Sequence, residues 1–214
     1  MSDRVLCVPA FADGASSWRP LLDHVPAEVA DLSAAEPPTV AGHAAALAGL
    51  VTNPVILIGH SLGSAIAVET AHLLGPRCRG LLSIEGNLTP EDAYFSGQAA
   101  DFDDPVDFKQ ALLTRIGQLV AAGQVPSTYV ESLAATDERR MWTLGRDARD
   151  RDFGSRYRSL ACPTLYLWSA TSTPRATAEY LAQHRIPARR LSVEHHWPWL
   201  TAPAVVAEAL AELS

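Results

Sequence analysis

Four short runs of apolar, partly β-branched residues most constrain what this chain can fold into: VLCVP (5–9), VILIG (55–59), GLLSI (80–84) and TLYLW (164–168). Each has the length of a strand and lacks the polar alternation of a strand with one wet face, so each predicts a strand buried on both faces. AEVADL (27–32) and RRLSV (189–193) are weaker strand candidates. Between the runs lie TVAGHAAALAGLV (39–51), LGSAIAVETAHLLG (62–75), PRATAEYLAQH (174–184) and APAVVAEALAEL (202–213), rich in alanine and leucine and predicted to be helices. Strands alternating with helices predict an α/β fold with a mostly parallel sheet of about six strands, covered by helices on both faces.

The rhythm breaks over residues 87–160. NLTPEDAYFS opens the segment as a turn and a helix start. DFKQALLTRIGQLV (107–120) places Phe108, Leu112, Ile116 and Leu119 near helical spacing, which predicts an amphipathic helix. Thr128 and Glu131, following Pro126, have the spacing of a capping box. Residues 136–158 carry dense charge of both signs and read as a solvated helical face. The expected organisation is one core, residues 1–86 with 161–214, interrupted by a helical cap at 87–160.

Composition narrows the functional classes. With 214 residues, 48% hydrophobic and 19% charged, the chain has enough apolar material for one core. A formal charge of −7 disfavours nucleic acid as a partner, because phosphate binding needs a basic surface. Three widely separated cysteines, Cys7, Cys78 and Cys162, suit a reducing compartment and show no metal-ligand spacing. The N-terminus MSDRVLCVPAF reads as neither a signal peptide nor an anchor, and no run approaches the roughly 18 apolar residues of a spanning helix. The expected setting is cytoplasmic, without a membrane partner.

The chemistry begins at VILIGHSLGSA, where Gly59-His60-Ser61-Leu62-Gly63 falls between a buried strand and a helix. A bare Gly-x-Ser-x-Gly arises by chance in about one chain in fourteen of this length, given glycine and serine near 7% each. Its context is more specific. A sharp strand-to-helix turn lifts its central side chain clear of the sheet, and needs small residues two before and two after it. Leu62 then presents its N–H at a helix N-terminus, where developing negative charge is stabilised. The competing reading is a structural glycine turn with an incidental serine.

With these residues the chain resembles the α/β-hydrolase family, and the resemblance extends toward both ends. VPAFADGASSW (8–18) is similar to the family's oxyanion loop, with Pro9-Ala10-Phe11 where His-Gly and an apolar residue usually stand. The resemblance implies oxyanion N–H groups from Phe11 and Leu62, a core lacking the family's first two strands, and a cap at 87–160. SVEHHWPWLTAP (192–203) resembles the loop that carries the base, and His196 fits that place better than His195. An imidazole is required there because a serine hydroxyl is a weak nucleophile until something takes its proton. The remaining histidines, His60 included, read as structural.

The family's usual acid follows TLYLW, two residues before a proline, and here that position holds Ser172. A serine cannot supply the negative charge that orients a catalytic imidazole. Glu85, at the end of the strand after the nucleophile helix, lies at the same sheet edge as Ser61 and is the expected replacement, a position that certain members of the family use. Glu91, Asp92 and Glu194 are rivals; the first two more naturally start a cap helix. The implied function is a serine hydrolase of carboxylic esters, thioesters or lactones, acting through an acyl-enzyme on Ser61. Its substrate would be a small acyl compound, free or carrier-bound, and no metal or organic cofactor is called for. Trp18, Tyr94, Phe95 and Trp142 are candidates to line an acyl pocket, or else ordinary core. A cyclase or lyase on the same scaffold, and a ligand-binding protein with a relict site, are the alternatives.

Overall fold

In a computed structural model that describes residues 4–193 and 195–213, six strands form one parallel sheet. They are β1 (Arg4–Val8), β2 (Ala27–Val29), β3 (Val55–His60), β4 (Cys78–Ile84), β5 (Thr164–Trp168) and β6 (Ala188–Arg190). The order across the sheet is β2-β1-β3-β4-β5-β6, and every neighbouring pair is parallel. β3 is buried along its whole length and β4 at all but one position. This explains why their sequences run apolar without alternation. The two weak strand candidates form only short edge strands, β2 and β6, each three residues long. β6 starts one residue before the candidate run RRLSV (189–193) and ends ahead of that run's apolar residues. Each has a single pairing partner, so less burial selects its side chains.

The chain leaves β1 toward β2, then returns past β1 to β3 and continues in the opposite direction to β6. Strand order therefore reverses between β1 and β3, and a crevice opens at their carboxyl ends. Right-handed crossovers place helices from the two directions on opposite faces. Accordingly α1 (Arg19–Leu22) packs with α9 (Pro203–Ala211), while α2 (Val40–Leu50) packs with α3 (Leu62–Leu74). α8 (Arg175–Gln183) connects the last two strands. No helix among the described residues is long and apolar enough to cross a membrane.

Between β4 and β5 run two 3₁₀ segments and four helices: α4 (Pro105–Ala121), α5 (Ser127–Ala135), α6 (Glu138–Ala148) and α7 (Gly154–Arg158). α4 buries Phe108, Leu112 and Ile116, the spacing expected of it, while Leu119 is only half-buried. α6 turns its charges outward and buries Met141, Leu144, Gly145 and Ala148. The anticipated capping box at Thr128 does not form: α5 starts at Ser127 after Pro126, with no side-chain cap, so Thr128 lies inside the helix. A capping box forms instead at Thr89 and Asp92, where the Asp92 carboxylate accepts the Thr89 N–H at 2.8 Å. That accounts for Asp92 as a helix-starting acid.

Candidate active site

β3 passes into α3 through Ser61, whose backbone has φ 51° and ψ −128°. A non-glycine residue held at positive φ is strained, and the strain persists because the flanks leave the backbone no alternative. A Cβ on Gly63 would stand 2.2 Å from the carbonyl oxygen of Pro9 and 2.3 Å from that of Val8, and one on Gly59 would stand 2.5 Å from Ser64 Cα. The glycines thus let the turn press against β1 and α3, leaving the Ser61 side chain at the crevice. Ser61 N–H donates to the Ile84 carbonyl at 3.0 Å, and Ser64 Oγ donates to the Gly59 carbonyl at 2.7 Å.

The loop after β1 forms the other wall. Asp13 N–H donates to the Ala10 carbonyl at 3.1 Å, with Ala12 at φ 52°. The buried Tyr129 hydroxyl, on α5, donates to the Phe11 carbonyl at 2.9 Å. The Asp13 carboxylate accepts the Gly14 N–H at 2.8 Å, the Ser17 hydroxyl at 2.8 Å and the Trp197 indole N–H at 3.2 Å. Burial raises the Asp13 pKa, and these hydrogen bonds oppose the rise. Asp13 and Tyr129 thus tie the Phe11 loop to the residue beside His196 and to the cap. Neither was singled out from the sequence, because an acid in a loop and a tyrosine in a helix carry no local pattern.

His196 lies after β6, with its side chain 16% exposed. Its backbone carbonyl is 2.8 Å from His60 Nε2. A carbonyl can only accept, so His60 carries its proton on Nε2. His60 is fully buried, with Trp197 and Trp199 ring centroids at 5.5 and 4.8 Å. Burial, then the neighbouring His196, holds its pKa well below 6.5. The structural reading of His60 therefore has a specific content: a neutral imidazole that fixes the main chain of the His196 loop. His195 Nδ1 accepts the Trp197 N–H at 3.0 Å, a local turn contact.

Glu85 directly follows β4 at φ 49°, its side chain 1% exposed. One carboxylate oxygen accepts the Ser169 N–H at 2.6 Å and the other accepts the Thr173 hydroxyl at 2.7 Å. The second oxygen stands 3.9 Å from His196 Nδ1. That is ion-pair range and longer than the 2.6–3.2 Å contact expected of a triad, and Nδ1 has no hydrogen-bond partner among the described residues. The loop after β5, with serine where the family has an acid, turns back on itself: Thr173 N–H donates to the Ser169 carbonyl at 3.2 Å, and the Ser169 and Ser172 hydroxyls meet at 2.5 Å. It has become the cradle of the Glu85 carboxylate. Ser169 and Thr173 went unnoticed in the sequence because their role exists only once β4 and β5 are paired.

Ser61, His196, Phe11, Tyr94 and Phe95 line one narrow pocket of about 30 Å³. Asp92 also reaches this pocket, but its carboxylate is committed to the Thr89 cap and to the Thr177 hydroxyl at 2.7 Å. Glu91 is exposed on the cap, and Glu194 lies outside the described residues. Two aromatic candidates stand elsewhere. Trp18 is fully buried, stacked on Trp199 with centroids 4.4 Å apart, and backs the His60 side of the elbow. Trp142 donates its indole N–H to the Phe102 carbonyl at 3.0 Å and carries the Arg146 guanidinium on its ring. Both were chosen for residue type and proximity in sequence, which do not specify the direction of a side chain. A larger cavity of about 650 Å³ lies on the far side of Phe11, walled by residues that include Asp13, His43, Leu62, Ile66 and Arg140. Among the described residues no group of three or more His, Cys, Asp or Glu could hold a metal ion.

A serine at a strained strand-to-helix turn, a histidine sharing its pocket and a site at the switch point of a parallel sheet define an α/β protein of the hydrolase class. The chain belongs to the alpha/beta hydrolase family, whose model matches residues 5–209. A comparison with curated proteins finds no match. Among solved structures, a lipase-esterase related protein from Clostridium acetobutylicum ATCC 824 superposes with TM-score 0.74 at 18% identity, covering 99% of this chain and 94% of that one. A thermophilic esterase from Thermogutta terrifontis gives 0.73 at 18%, covering 99% and 89%. The enol-lactonase from Burkholderia xenovorans LB400 gives 0.74 at 14%, covering 100% and 91%. At these identities the likeness speaks for the fold.

Proposed function

We propose that this protein is a serine hydrolase that cleaves a carboxylic ester, thioester or lactone through an acyl-enzyme on Ser61. The observation that carries the reading is the shared pocket: Ser61, held at positive φ at the start of α3, faces the same small space as His196. Ser61 attacks the acyl carbonyl while His196 Nε2 takes the hydroxyl proton. His196 returns that proton to the leaving group, then activates the water that releases the acid. The Phe11 and Leu62 N–H groups receive the oxyanion, each such donor contributing about 3 kcal/mol to the transition state.

Glu85 is the acid in this reading. Its carboxylate stabilises the imidazolium and selects the tautomer with the proton on Nδ1, on closing a gap of 3.9 Å by about 1 Å. The support is its position and the unmet hydrogen bond of Nδ1, which no other group among the described residues satisfies. Tyr94 and Phe95 would contact the acyl group. A reducing, cytoplasmic setting belongs to the same reading and is supported by three unbridged cysteines. A fluorophosphonate probe with a short p-nitrophenyl ester tests the whole. Labelling at Ser61 with turnover is expected. Labelling without turnover would transfer the site to a cyclase or lyase, and absence of labelling would leave a binding protein.

A further inference from the structure

The three thiols, so far from one another in sequence, are not scattered in the fold. Cys78 begins β4 and Cys162 lies two residues before β5, the adjacent strand, with their sulfur atoms 3.7 Å apart. Pairing of Leu81 with Thr164, and of the Leu81 N–H with the Pro163 carbonyl at 3.0 Å, fixes the two segments side by side. Cys78 is 4% exposed, whereas Cys162 is half-buried in a loop between the exposed Ala161 and Pro163. Cys7 is fully buried on β1, where burial pushes its thiol up to about 12. One thiol of the pair is thus reachable from solvent and the other lies behind it.

We infer that Cys78 and Cys162 are a redox modification site, closing to an intramolecular disulfide when a hydroperoxide reaches Cys162. The sulfurs have less than about 2 Å to travel to bonding distance, and only the Cys162 loop need move. Either sulfur can donate across the 3.7 Å contact, and the contact with Cys78 holds the Cys162 pKa below its ordinary value, which favours the attacking thiolate. That thiolate attacks one peroxide oxygen, the O–O bond breaks and hydroxide departs, leaving a sulfenic acid on Cys162. Cys78 gives its proton to hydroxide, and its sulfur displaces the sulfenic oxygen as a second hydroxide, which becomes water by taking up the proton that Cys162 released on ionising. Two thiols and one hydrogen peroxide thus give one disulfide and two waters, sulfur losing the two electrons that the peroxide gains. The bridge would join the strands on either side of the cap, at the sheet end opposite Ser61. Stability should therefore rise while the ester-cleaving site is left alone.

The experiment uses the whole reduced chain, treated with a few equivalents of hydrogen peroxide, then alkylated in denaturant and weighed. The expected result is one alkylated thiol instead of three, a loss of two hydrogen atoms in mass, and a Cys78–Cys162 peptide pair that dithiothreitol abolishes. The melting temperature of the oxidised form should rise by about 5–10 °C. Cys78→Ser should instead accumulate a dimedone-reactive sulfenic acid at Cys162. Three alkylated thiols after peroxide, sulfinic acid at Cys162 in the unmutated chain, or a bridge through Cys7 or between two chains would each overturn the assignment. The readout is made on the unmutated protein and is independent of its enzymatic activity.

Discussion

At the scale of single residues, three side chains carry separable tests. Ser61→Ala should abolish acyl-enzyme formation and lower turnover by about 10⁴-fold or more with the fold intact, checked by probe labelling and circular dichroism. Glu85→Gln keeps the shape and removes the charge, so turnover should fall by about 10³–10⁴-fold while the melting temperature moves little. Normal turnover in that variant would leave His196 working without this acid. His60 gives a pH signature. Its folded pKa lies well below 6.5, and burial lowers that of His43 too. Above about pH 6.5 both are neutral, folded or unfolded; below it the unfolded chain takes up protons that the fold refuses, so stability declines as pH falls through the folded values. Asp13 has the opposite sign, its raised pKa making its contribution largest at low pH and lost as pH rises through the folded value. Urea midpoints between pH 7.5 and 5.5 should therefore fall, and fall less in a non-titrating His60→Asn chain.

At the scale of elements, the turn from β3 to α3 and the loop after β5 make contrasting predictions. A methyl group at Gly63 would meet backbone oxygens at 2.2 and 2.3 Å, which cannot move as a flexible side chain can. Gly63→Ala should cost about 3 kcal/mol or more, read as a drop in denaturant midpoint, or prevent folding. The loop should be more permissive at Ser172, whose hydroxyl meets that of Ser169, and less so at Thr173, whose hydroxyl holds Glu85. Ser172→Ala should be nearly silent in kcat. Thr173→Val should lower kcat by about 10-fold, because it removes one of two hydrogen bonds that aim the carboxylate. Equal effects from the two substitutions would separate the loop from Glu85.

For the molecule as a whole, the cap and the Phe11 loop decide how much space an acyl group finds. The pocket at Ser61 holds only about 30 Å³, and Phe11 stands between it and the cavity of about 650 Å³. Acetyl esters should therefore be preferred over longer ones. Phe11→Ala keeps the backbone N–H and opens the partition. The ratio of kcat/KM for an octanoate over an acetate ester should rise about 10-fold, within the range one hydrophobic contact commands. Truncating a buried phenyl ring costs about 3–5 kcal/mol, but a ratio of two rates on one sample is independent of the folded fraction.

Some features of this protein were determined locally and others were not. Burial of β1, β3, β4 and β5 on both faces is written in unbroken apolar runs, and the elbow in two glycines around Ser61, because backbone sterics act over a few residues. The position of Glu85 at a strand end was legible for the same reason. Which donors receive its carboxylate, the aromatic housing of His60, the ties from Asp13 and Tyr129, and the meeting of Cys78 with Cys162 all join residues distant in sequence. So does the exclusion of Trp18 and Trp142 from the Ser61 pocket. These depend on strand order and on the direction each side chain takes from its helix or loop, and strand pairing and close packing set both.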